Sequence, residues 1–267
     1  MKIYDCFSYW DEDLLLKIRL NILKDFVDYF VIIEFGETHQ GTKKKQKINF
    51  KILNKYKKKI RYFFINKFEK KTNSWQKENF QRNQITKGIF DADKDDIIIV
   101  SDVDEIPNLK KVNLNKISNK VYAFSQVHYM YKLNLIKSYN WIGSKLCKKK
   151  ILKSPQWLRL LKTHKKYSIF RLDKFFSDKH YSEFRVIDRG GWHYGWIKTP
   201  EQIINKINSY AHTEHNIPLF NNKNYIKGCI KKKISFLNID EKLKIEQLKN
   251  LPEYLRNNQH KFKKWLF

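Results

Sequence analysis

The stretch Asp95-Asp96-Ile97-Ile98-Ile99-Val100-Ser101-Asp102-Val103-Asp104-Glu105-Ile106-Pro107 constrains the fold more than any other part of the chain. A β-branched run bounded by polar residues reads as a short strand buried on both faces, as inside a parallel sheet. Pro107 has no amide proton and keeps the strand from running on. Asp102 and Asp104 then fall at the carboxyl end of a central strand, where open α/β sheets bind their ligands. Two carboxylates one residue apart at such an end suit a hard divalent cation that in turn holds a diphosphate.

Triplets of the form D-x-D are also common as solvated turns and helix caps, and the preceding strand is what favours the metal reading. A phosphatase nucleophile in a D-x-D-x-[TV] motif is another use of the same acids. That reading wants the motif on the first strand, whereas here it lies well into the chain, with Ile106 in place of Thr or Val.

Alternating elements surround this strand. Residues 3–8 predict a first strand and 11–24 a helix, with Leu14, Leu15, Ile18, Ile22 and Leu23 at helical spacing. Residues 27–35 predict a second strand with Glu34 near its end, a β-α-β opening typical of a nucleotide-binding sheet. A helix over 50–56, a strand over 60–65 and a helix over 75–90 lead to the strand at 97–100. Between 121 and 135 the alternation of Tyr, Phe, His and Met predicts one long strand or a hairpin. Trp141-Ile142-Gly143 reads as a turn or a close backbone approach, and 168–172 and 181–187 as weaker strands. Residues 188–196, rich in glycine and aromatics, read as an irregular loop. Helices are expected over 199–211, behind Thr199-Pro200-Glu201, and over 240–249, capped by Asp240.

Lys and Arg number 55 against 27 Asp and Glu, a formal charge of +28. Such a field favours polyanions: nucleic acid, an acidic membrane surface or phosphorylated substrates. Lys, Asn and Ile are abundant together, so part of the charge is compositional bias on solvated faces. Cys6, Cys147 and Cys229 are too widely spaced for a disulfide framework or thiolate zinc site, which fits a reducing compartment. With no apolar run of about 18 residues and no room for a signal peptide before the first strand, the expectation is a cytoplasmic protein. Any membrane contact would be peripheral and electrostatic.

Six segments share an order with one known family. Tyr4-Asp5-Cys6-Phe7, Glu34 with Thr38 and Gly41, Trp75-x-x-Glu78-x-x-x-Arg82, the segment from Ser101 to Pro107, Gly190-Gly191-Trp192-His193-Tyr194 and Ala211-His212-Thr213-Glu214 resemble the family 17 glycosyltransferases. The resemblance implies a GT-A-like, Rossmann-like mixed α/β sheet flanked by helices, with a helical C-terminal part. It implies UDP-GlcNAc as donor, an oligosaccharide, glycolipid or glycoprotein acceptor, a divalent cation (Mn²⁺ or Mg²⁺), and inversion at the anomeric carbon. One domain would then span 1–267, with a nucleotide-sugar half over 1–110, an acceptor and catalytic half over 111–220, and a helical extension over 221–267. The chain departs from the family's anchored members in showing no anchor. A lipid-linked or surface-polysaccharide precursor at an anionic leaflet is therefore the expected acceptor.

Inverting transfer needs a carboxylate to take the acceptor proton while a metal neutralises the departing diphosphate. Asp104 is the first choice for direct ligation, Asp102 for the metal or the ribose, and Glu105 for orienting its neighbours. His193, flanked by glycines, is either a third metal or diphosphate contact or a core histidine. Trp192, Tyr194 and Trp196 offer a stacking platform for a sugar or simple packing. Arg82 lies one helical turn from Glu78, as a surface pair or as a reach to the diphosphate. Glu34 could accept from uracil or ribose, and Gly143 and Trp192 complete the donor-binding set. The base is Asp188 or Glu214, with Asp188 preferred because it adjoins the glycine pair. Lys43 and its neighbours read as a solvated basic loop, with a lid over the phosphates as the alternative. A metal-dependent nuclease or nucleic-acid-binding protein competes with this reading, although no recognised nucleic-acid module is visible and no specific nucleic acid is expected. A non-catalytic glycan-binding module is the third possibility.

Overall fold

The structure is a computed structural model in which residues 1–37, 43, 45–67, 74–161, 184–208 and 217–267 are described. Strand β1 (Ile3–Tyr9), helix α1 (Asp13–Leu23) and strand β2 (Tyr29–Phe35) form the β-α-β opening. Helix α2 (Phe50–Asn54), capped by the Asn49 side chain, leads to β3 (Ile60–Ile65). Helix α3 (Ser74–Asn83) tightens into a 3₁₀ turn before β4 (Ile97–Asp102). Next come β5 (Glu105–Pro107) and the hairpin β6 (Val121–Met130) and β7 (Leu135–Lys148). Helix α4 (Pro155–Leu160) starts on a Ser154 cap with proline in its first turn. The chain continues through β8 (Phe184–Ile187), β9 (Gly191–Gly195) and α5 (Pro200–Ile207), whose Thr199 and Gln202 make a reciprocal capping box. Helix α6 (Lys223–Lys232), the short strand β10 (Lys244–Ile245), α7 (Glu253–Asn257) and α8 (Gln259–Phe262) finish the chain.

The strands form one mixed sheet of ten among the described residues, ordered β3-β2-β1-β4-β7-β6-β9-β5, with β8 on β6 and β10 on β7. Strands β3, β2, β1 and β4 run parallel, and β7 turns the direction by pairing antiparallel with β4. Strands β4 and β5 are separated by two residues in the chain yet stand four places apart in the sheet. Four strand spacings of ~4.8 Å would be about 19 Å in a flat sheet, whereas three Cα steps of 3.8 Å reach only about 11 Å. The sheet must therefore curl, and β5 does pack back against β4, β6 and β7.

Side-chain alternation sends each central strand into two cores. Ile3, Phe7, Phe30, Ile32, Ile97 and Ile99 join the cluster that includes Leu16, Leu20 and Leu23 of α1. Tyr4, Cys6, Val31, Ile33, Ile98 and Val100 join the opposite cluster with Leu158 of α4. A third cluster holds Ile203, Ile207, Ile226 and Phe236 of the C-terminal part against Met130 and Leu135. No helix among the described residues is long and apolar enough to cross a membrane.

The expected mixed α/β sheet flanked by helices is present, with three local differences. Residues 240–249 do not form an α-helix: Lys244 and Ile245 pair with Ile136 and Leu135, where the edge of β7 outweighs helix propensity, and only a 3₁₀ turn starts at Leu248. The loop expected at 188–196 contains a regular strand, because β6 and β5 flank it and pair with it on both sides. Gly191 makes the entry, at φ +144, where an added Cβ would stand 2.2 Å from the Ile106 carbonyl oxygen. Trp141-Ile142-Gly143 lies within β7 rather than in a turn, although the close approach is real: a Cβ on Gly143 would meet Gln126 Oε1 at 1.9 Å. The strand expected at 168–172 lies outside the described residues.

Candidate functional site

The alternation of β4 distributes its last side chains. Ser101 faces α1, where the fully buried Arg19 guanidinium donates to Ser101 Oγ (3.0 Å) and to both Asp5 oxygens (2.7 and 2.5 Å). Arg19 Nη1 also donates to the carbonyls of Asp102 (3.1 Å) and Glu105 (2.7 Å), so one side chain pins the carboxylate turn from beneath. Asp102 points to the opposite side, towards α3 and α4. Its two oxygens accept from Arg82 (3.0 Å) and Arg159 (2.8 Å). Enclosure by the site opposes its charge, but Arg159 and then Arg82 outweigh that and hold Asp102 well below the usual carboxylate range.

Asp104 has the reverse environment. Burial pushes its carboxyl up to about 7; Lys206 opposes the rise, and the charges of Asp102 and Glu105 add to it. Lys206 Nζ and His193 Nε2 each stand 3.8 Å from Asp104 Oδ2. Glu105, fully buried, is the organising acid: it accepts from Arg159 (2.7 and 2.8 Å), from Trp141 Nε1 (2.8 Å) and from the Asp102 amide (3.1 Å).

His193 lies opposite Glu105 in one ladder and opposite His128 in the other. Its ring stacks on His128 (4.2 Å between centroids) and on Trp141 (4.3 Å). Burial, and then the neighbouring His128, drive His193 well below the ordinary histidine range, and burial takes His128 down to about 3. His193 is therefore neutral, as a metal ligand must be. Its distance from Asp104 suits two donors on one cation. Among the described residues no three His, Cys, Asp or Glu side chains converge on a metal position. Asp104 and His193 could supply two donors to a cation whose other ligands include phosphate oxygens and water, as around magnesium. His193 Nδ1 is buried without a hydrogen-bond partner, so the usual outer acceptor for a ligating histidine is missing.

The remaining expected residues are scattered. Glu34 is fully buried and accepts from the amides of Lys47 (2.7 Å) and Ile48 (3.2 Å) and from the Tyr62 hydroxyl (2.9 Å), which ties it to the segment after β2. Beside that segment, a cavity of about 790 Å³ lies beyond the ends of β2 and β3, lined in part by Lys43, Lys45, Phe64 and Lys67. Gly143 donates no side chain but gives its carbonyl to Arg159 Nη1 (3.0 Å). Trp192 is half-buried against the α1-side core, Tyr194 is fully buried on Tyr129, and Trp196 packs edge-on to Phe236. These three rings do not make a shared platform. Asp188 is exposed in the turn before Gly190. Its neighbour Ile187 pairs with Phe124, four residues along β6 from the His128–His193 pair, or about 13 Å at ~3.3 Å per residue. Glu214 lies outside the described residues.

Four residues of the site carried no sequence expectation, Arg19, His128, Arg159 and Lys206, and Trp141 was expected only as part of a turn or close approach. Arg19 left a signal, since it follows Leu15 and Leu16 at helical spacing on the buried face of α1 while Asp5 interrupts an apolar strand. His128 also left one, as a polar residue in an apolar strand.

The family model described as Glycosyltransferase family 17 matches residues 1–267, the whole chain. No curated protein matches it.

Proposed function

The chain belongs to glycosyltransferase family 17, and from that premise we propose that it is an inverting, metal-dependent enzyme of GT-A type that moves GlcNAc from UDP-GlcNAc onto a glycan hydroxyl. The observation that carries the reading is the pairing of Asp104 with His193 at 3.8 Å, at the carboxyl end of β4 and beside two guanidinium groups. Asp104 and His193 would hold a divalent cation (Mn²⁺ or Mg²⁺), which supplies charge neutralisation for the departing diphosphate. Arg82 and Arg159, now spent on Asp102, carry the planar donors that suit phosphate oxygens. Glu105 keeps Arg159 in place, and Arg19 keeps the turn in place. The nucleotide would lie over β1 to β3, where the lysine-lined cavity opens, in keeping with residues 1–110 as the donor half. The acceptor would then lie over β6 and β7, within residues 111–220.

Family membership sets aside the phosphatase, nuclease and sugar-binding-module readings as the main activity. The charge of +28 supports an acceptor presented at an anionic surface, and equal binding to anionic and neutral vesicles at low salt would count against that placement.

The test is slow donor hydrolysis. With Mn²⁺ or Mg²⁺ and a panel of UDP- and GDP-sugars, UDP-GlcNAc should be hydrolysed fastest, and chelation should stop the reaction. Asp104→Asn should lower turnover by at least ~100-fold with the fold intact. Full activity of that variant, or of the chelated protein, would overturn the metal assignment. A preference for another nucleotide sugar would overturn the donor.

A further inference from the structure

Strand β7 is 14 residues long and pairs with the 10-residue β6, and three irregularities absorb most of the difference. Between Ala123 and Ser125, between Gln126 and His128, and between His128 and Tyr129, β7 carries one residue more than its partner. Bulges of this kind break alternation and re-aim side chains. Here they leave Tyr139, Asn140, Trp141 and Ile142 all exposed in succession. Among the described residues no strand pairs with the opposite edge of β7 at this level, since β4 pairs with residues 145–148 and β10 with 135 and 136.

Within that stretch Trp141 is held unusually firmly for an exposed aromatic. One face lies on His193, Nε1 donates to Glu105, and Glu105 is itself locked by Arg159, yet 37 % of the residue remains open. A rigid ring with an open surface beside a carboxylate cluster is what the apolar C–H face of a pyranose requires: the π-face carries negative charge, and no side-chain entropy is lost on binding. Strand order gives the side. The lysine-lined cavity lies over β2 and β3, the carboxylates end β4, and Trp141 stands on β7, beyond the carboxylates from the nucleotide side.

We propose that Trp141 is the acceptor platform, stacking the pyranose whose hydroxyl receives the transferred sugar. The inference rests on the glycosyltransferase reading, and nucleotide binding serves as its separate control.

The test is ¹⁹F NMR of 5-fluorotryptophan-labelled wild-type protein, with the Trp141 signal assigned by its loss in Trp141→Phe. Methyl β-pyranosides of gluco, galacto and manno configuration are titrated in the presence of UDP and Mn²⁺. At least one should shift the Trp141 signal saturably, and in isothermal titration calorimetry Trp141→Ala should weaken that sugar by roughly five- to tenfold, with Trp141→Phe in between. Absence of a shift from every sugar, in a protein that binds UDP, overturns the platform and leaves the transferase reading standing. So does an Ala variant with wild-type sugar affinity. Failure of the wild type to bind UDP overturns instead the UDP-sugar donor on which the inference rests. Should the Ala variant unfold, the wild-type shift and the Phe variant decide the matter alone.

Discussion

Replacing Arg19 by Met should be among the most damaging single changes in the molecule. Arg19 and Asp5 are both without solvent exposure, and they make a two-pronged ion pair at 2.7 and 2.5 Å. Removing one partner of such a pair leaves an uncompensated buried charge, at a cost of about 3–5 kcal/mol. The carbonyls of Asp102 and Glu105 lose a donor as well, at about 1 kcal/mol each. The sum, about 5–7 kcal/mol, is comparable with the ~5–15 kcal/mol that holds a typical domain together. Urea unfolding followed by tryptophan fluorescence should show the midpoint collapse, and Asp5→Asn in the same chain should restore at least ~2 kcal/mol by removing the stranded charge. A loss below ~1 kcal/mol for Arg19→Met, or strict additivity with Asp5→Asn, would show that the pair does not support the turn.

Three further outcomes follow from the same geometry. Gly143→Ala should destabilise by about 1–3 kcal/mol, because its Cβ would collide with the buried Gln126 side chain, and Gln126→Ala should recover most of that in a urea titration of the double variant. Glu105→Gln keeps the shape but removes the charge that holds Arg159; we expect about 2–3 kcal/mol lost in thermal melts, and retained stability would refute its organising role. Lys145 is buried and pulled down to about 7 by desolvation and then by Arg159, so the unfolded chain binds more protons than the folded one between pH 7 and 10.5. Stability should therefore rise with pH across that window. Lys145→Met should be more stable than wild type at pH 7 by about 2 kcal/mol after allowing for the lost bond to the Arg159 carbonyl, with the gap closing towards pH 10.5, and a variant weaker than wild type at pH 7 would contradict this.

The parallel half of the sheet was legible because its strands advertise themselves locally. The Ile97 to Val100 run and the helical spacing of α1 each depend on a few adjacent residues. The antiparallel half was less so. Gly191 looked like loop material because its role, to pass close under Ile106, depends on a strand more than 80 residues earlier. Residues 244–245 became a strand because β7 offered an unpaired edge, and nothing within residues 240–249 reports that edge. In the site, the carboxylates were readable from spacing, and Glu105 as an orienting residue followed from its place beside them. Their partners were not readable. Arg159 comes from α4 and Trp141 from a bulged strand, and the register that joins them to Glu105 is a property of the whole sheet.

The curl of that sheet bears on how the chain can vary. Val103 and Asp104 are the clasp of a ring whose two ends are β4 and β5. The ring sets the length of the clasp: one residue added there would slide β5 along β9 and turn Glu105 to the opposite face, away from Arg159 and Trp141. The spacing of the three acids is thus a gauge of closure, and insertions should be tolerated almost anywhere along this outer surface before they are tolerated at that point.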